Sequence, residues 1–69
     1  MSLSIPELKT VAMLLLRIRT FAEDAVNVAE SGGDIAVTAR IKTLLFRAQD
    51  VEREIEARLA AAEKAERQS

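Results

Sequence analysis

The chain has 69 residues with no cysteine and no histidine, which leaves room for one domain at most and excludes a disulfide framework and the usual zinc and copper ligand sets. Its residues are 49% apolar but only 3% aromatic, with alanine, leucine, isoleucine and valine supplying nearly all the rest, which is the composition of a helical bundle. Ten basic residues against eleven acidic ones give a net charge of -1, so no general electrostatic case exists for a nucleic-acid or anionic-membrane partner.

The longest apolar run, Val11 to Leu16, is interrupted by Arg17 and Arg19 and falls far short of the roughly 20 residues that span a bilayer. The N-terminus has neither the basic start nor the small-residue cleavage site of a secretory signal, so a cytoplasmic location is the expectation.

Ser4 and Glu7 stand at capping-box spacing, Leu3 and Leu8 at hydrophobic-staple spacing, and Pro6 in the first turn, three signals that start a helix at about residue 5 and carry it to about residue 30. Along it Leu8, Val11, Leu15, Ile18, Ala22, Ala25 and Ala29 recur at alternating spacings of three and four, the seam of a coiled-coil-like helix. Leu14, Phe21 and Val28 flank that seam and widen the apolar face beyond what one partner helix covers.

Residues 31–34, Ser-Gly-Gly-Asp, predict a tight antiparallel turn, with both glycines free to take positive φ and Asp34 capping the next helix. Helix 2 is expected over about residues 35–66, with Val37, Ile41, Leu44, Ala48, Val51 and Ile55 as its seam. Packing should end near Leu59, and the remaining alanine and charge should fray. Folding at the glycines is expected to set Glu23 and Asp24 near Arg40 and Lys42, and Lys9 near Glu56.

The sequence thus reads as a single all-α helical hairpin over residues 1–69. Leu14, Phe21, Val28 and Leu45 would stay wet in one hairpin, so a homodimer closing into a four-helix bundle is expected. Leu8, Val11, Leu14, Leu15, Ile18, Phe21, Val28, Val37, Ile41, Leu44, Leu45, Val51 and Ile55 are its candidate interface. Met13, Leu16 and Phe46 fall outside both seams, either as a second patch for a tetramer contact or another protein, or as apolar residues tolerated at the edge of a wide core.

Glu52 and Glu56 share a helix face among Asp50 and Glu54, a spacing that could help hold a divalent cation, but Arg53 and Arg58 lie among them and favour a solvated, ion-paired face. No histidine, cysteine or tyrosine is present for acid-base or nucleophilic chemistry, so no catalysis and no cofactor are expected. A non-enzymatic protein-protein interaction module is the reading that remains: an adaptor, a regulator or an assembly subunit. One alternative is a regulatory dimer binding nucleic acid through a basic helical face of Arg17, Arg19, Arg40, Lys42 and Arg47. Another is a co-chaperone or subunit whose bundle is completed by a different helical partner.

Overall fold

The computed structural model describes residues 2–68 and consists of two helices, α1 over Ile5–Ser31 and α2 over Ile35–Gln68, packed antiparallel against each other. Helix α1 starts with a complete capping box. The Ser4 amide donates to Glu7 Oε1 at 2.9 Å and the Glu7 amide donates to Ser4 Oγ at 3.2 Å, so two otherwise orphaned amides are satisfied. The Ser4 amide, and then its hydroxyl, hold the Glu7 carboxyl below its ordinary range.

The turn is a Schellman motif. The Gly33 amide donates to the Glu30 carbonyl at 3.0 Å and the Asp34 amide to the Ala29 carbonyl at 3.1 Å, closing the last turn of α1. Of the two glycines only Gly33 is left-handed, at φ 74, whereas Gly32 sits at φ -79 and ψ -6 in ordinary helical territory. Of the two glycines that offered this conformation, the turn uses one, because one reversal suffices. Asp34 Oδ1 accepts from the Val37 amide at 3.0 Å, so the residue that closes α1 also caps α2.

Along the contact the residues withdrawn from solvent are Leu8, Leu15, Arg19, Ala22, Val26 and Ala29 from α1, against Thr38, Ile41, Leu45, Ala48, Glu52, Ile55 and Leu59 from α2. This corrects the seam read from the sequence. Arg19 and Val26 replace Ile18 and Ala25, while Thr38, Leu45 and Glu52 replace Val37, Leu44 and Val51. The contact uses small residues, Ala22, Ala29, Thr38 and Ala48, which let two backbones approach. Larger side chains are left to one side. Thr38 is buried with its hydroxyl donating to the Asp34 carbonyl at 2.7 Å, so its polarity costs little.

The cross-helix ion pairs also differ from expectation. Lys42 meets Glu30 at 3.0 Å and Arg19 meets Glu52 at 3.0 Å; neither pairing uses Asp24 or Arg40. Packing continues past Leu59, since Ala62 and Glu63 are half-buried. Ser2 and Leu3 share a cleft with Leu8, Arg58, Ala61 and Ala62, so the segment before α1 covers part of the longer helix.

The result is thin. Principal extents are 55 × 18 × 14 Å and the radius of gyration is 15.7 Å, against about 11 Å for a compact domain of this length. The accessible surface is 5363 Å², against roughly 4,300 Å² for a folded monomer of this mass.

Two outcomes follow from the caps. Gly32→Ala should leave thermal stability unchanged or raise it, because a Cβ there meets nothing closer than the Val28 carbonyl oxygen at 3.5 Å, while Gly33→Ala should cost about 1 kcal/mol at its positive φ; comparing the two melts checks this. The stability contributed by the Glu7 carboxylate is fully present above the ordinary carboxylate pKa and is lost as pH falls through the lowered folded value. The melting difference between wild type and Glu7→Gln should therefore shrink on acidification.

Candidate functional site

Counting round each helix from its contact with the other places most, though not all, of the exposed large apolar residues on one face of the hairpin. From α1 come Leu14, Ile18, Phe21 and Val28, with Ala25 among them; from α2 come Val37, Leu44 and Val51. All seven large side chains are exposed, Phe21 at 70% and Val28 at 74%. In each helix the apolar arc is therefore wider than the contact and lies off-centre from it, and both arcs are displaced towards the same face. A helix in a closed bundle has two neighbours and an apolar arc that bisects them. Here one neighbour is present.

The sequence-derived interface residues divide into two groups. Leu8 and Ile55 are buried, and Val11, Leu15, Ile41 and Leu45 half-buried, within the chain, so this group holds the hairpin together. The expectation that Leu45 would stay wet is corrected, because it stands in the seam beside Ala48. Leu14, Ile18, Phe21, Val28, Val37, Leu44 and Val51 form the uncovered face.

Met13, Leu16 and Phe46 are exposed, Phe46 at 61%, and stand on the opposite face with Ile35. The Lys42–Glu30 pair crosses that face and breaks its apolar continuity.

The five basic residues are not brought together. Arg19 lies in the seam, its Nε donating to both Glu52 carboxylate oxygens at 3.0 and 3.3 Å, and it also reaches Glu23 at 3.4 Å. Lys42 is on the opposite face with Glu30, and Arg17 stands on the outer edge of α1. Only Arg40 and Arg47 share an edge, the α2 border of the apolar face. The expected basic face is thus dispersed, because the true seam takes in Arg19 and carries Lys42 round to the other side.

The acidic cluster is dispersed in the same way. Glu52 turns into the seam, Asp50 pairs with Arg53 at 3.2 Å and Glu54 with Arg58 at 3.6 Å. Among the described residues no three acidic side chains are arranged to hold a metal ion, and no helix is long and apolar enough to cross a membrane.

The site that sequence reasoning missed is the Arg19–Glu52 pair, at side-chain exposures of 33% and 16%. Within its own helix each residue points elsewhere, Glu52 to a cation pair with Glu56 and Arg19 to a basic face. The pair becomes visible only once the two helices are in register.

No family model matches the chain, and neither a curated protein nor a solved structure is significantly similar to it.

Removing one member of the Arg19–Glu52 pair leaves the other partly desolvated without its partner. Glu52→Ala should accordingly lower stability by about 1–3 kcal/mol, whereas Arg19→Leu combined with Glu52→Leu should be neutral or stabilising, since apolar replacement removes both desolvation costs. Urea unfolding of the two variants checks the sign of each.

Proposed function

We propose that this chain is a non-enzymatic protein-protein interaction module that works as a homodimeric four-helix bundle, serving as an adaptor, a regulator or a small assembly subunit. The observation that carries the reading is the uncovered apolar face. It is contiguous, belongs to both helices, and sits on a molecule whose surface exceeds that of a compact monomer by about 1,000 Å². A standard specific interface takes roughly 800 Å² from each partner. Two hairpins laid face to face remove an amount of that order, and a two-fold axis lets one patch serve both chains.

The absence of histidine, cysteine and tyrosine and the engagement of the acidic residues with arginines argue against a catalytic role. The nucleic-acid alternative loses its support with the dispersal of the basic residues. A bundle completed by a different helical chain uses the same face, and solution mass separates it from the homodimer.

Light scattering should give twice the chain mass, with high helicity by circular dichroism in the same samples. Phe21→Glu or Leu44→Glu should reduce the mass to that of one chain and lower the helicity, while Phe46→Glu, on the opposite face, should leave both unchanged. A wild-type chain that is monomeric and poorly helical would transfer the face to a different partner; a fully helical monomer at high concentration would overturn the reading.

A further inference from the structure

The arrangement of the two copies can be derived from the edges of the apolar face, on the reading above that the face is covered by a second copy. We infer that the hairpins pack with their turns at the same end of the bundle, α1 of one copy lying antiparallel to α2 of the other, and that Arg17–Glu54 and Asp24–Arg47 ion pairs form between copies.

The first argument is register. A two-fold axis along the bundle holds both copies at one level, so α1 meets the partner's α2 in the same register in which it meets its own. Inside the chain that register joins Arg19 to Glu52 and Glu30 to Lys42. Arg17 is two residues before Arg19 and Glu54 two residues after Glu52, so they share a level; by the same count Asp24 shares one with Arg47. Arg17 and Asp24 stand on the outer edge of α1, and Arg47 and Glu54 on the edge of α2 that borders the apolar face. Opposite signs therefore meet at both levels along the rim, where charge complementarity fixes orientation. Among the described residues Arg17, Asp24 and Arg47 enter no ion pair, and Glu54 has only its intrahelical neighbour Arg58.

The second argument is the position of the face. Val28 and Val37 lie next to the turn; beyond Val51 the same side of α2 carries Glu54 and Arg58, while on α1 it continues past Leu14 to Val11 and the cleft lined by Leu3 and Pro6. On α2 the face is thus displaced towards the turn. With turns together, all of it overlaps and the helices run alongside each other to their open ends. With turns apart, the same overlap leaves each open end projecting past the partner's turn, and area that could be buried stays wet.

The test uses the absence of cysteine, which makes one introduced thiol unique. A nitroxide attached through Gly32→Cys, a position with room for a side chain, is read by double electron-electron resonance. Turns together place the labels across the bundle, at about 15–30 Å for helices 8–10 Å apart; turns apart separate them along it, by about 35 Å or more at 1.5 Å per residue. The long distance with a dimeric mass would overturn the arrangement and leave the homodimer standing, whereas a monomeric mass with no dipolar signal would overturn both. The rim pairs are tested separately. Asp24→Lys should weaken dimerisation about tenfold, and adding Arg47→Glu in the same chain should restore it; a double variant no tighter than Asp24→Lys would overturn the Asp24–Arg47 pair.

Discussion

Everything else in this molecule depends on a geometric mismatch: each helix carries an apolar arc broader than one neighbouring helix can cover. The contact between α1 and α2 takes the side of each arc that is rich in alanine, and leaves the side that carries Phe21, Val28 and Leu44. Among the described residues six are buried, Leu8 the most at 3% exposure, and no large side chain is fully enclosed. At about 25 cal/mol per Å², a single contact line in which Leu8, Val26 and Ile55 are the only large buried apolar side chains among the described residues stabilises little against the entropy of ordering two long helices. The hairpin thus covers one side of each arc and leaves Leu14, Ile18, Phe21, Val28, Val37, Leu44 and Val51 exposed on the other.

Within that frame the Arg19–Glu52 pair has a different task from the apolar residues. An aliphatic seam that repeats every three to four residues carries little that separates one register from another a turn away, since apolar residues would meet apolar residues in both. An arginine and a glutamate placed among them make one register better than its neighbours, because any other leaves a half-desolvated charge without a partner. Polar groups at coiled-coil core positions are retained for register in the best-attested cases, at some cost in stability. Lys42–Glu30, about one-half exposed on both sides, adds little energy of its own, but it agrees with the same register. The Schellman turn, with Asp34 serving both helices, then sets where that register begins.

This division explains which parts of the architecture were legible in the sequence. Local chemistry was readable because its partners are near in the chain: Ser4 with Glu7, the glycine reversal, Asp34 as a cap. The apolar arcs are readable too, but the line of contact with the other helix lies to one side of their centre. Ile18, Ala25, Val37, Leu44 and Val51 lie near the centre of the arcs, which in a four-helix bundle points at the bundle axis and not at either neighbour. The three-four spacing cannot distinguish the two, since a seam rotated by one position has the same period. Arg19 and Glu52 were unreadable as a pair for the reason that makes them useful: they are 33 residues apart and meet only across the two helices.

The proposed dimer also accounts for the distribution of charge, and through it for where association stops. With Arg19 on Glu52, Lys42 on Glu30, and Arg17 and Arg47 on the partner's Glu54 and Asp24, four of the five basic residues once grouped as a nucleic-acid face are engaged with carboxylates. Arg40 alone is left at the turn end, and a single cation on each chain is a weak electrostatic footprint. The outward faces of such a dimer carry Met13, Leu16, Phe46 and Ile35, but the Lys42–Glu30 pair stands between Phe46 and Ile35, and stacking a further copy over it would desolvate it. That cost opposes the open, layer-on-layer growth that a hairpin apolar on both faces would invite. One face is continuous and apolar and the other interrupted by an ion pair, which is the asymmetry a closed two-chain bundle requires.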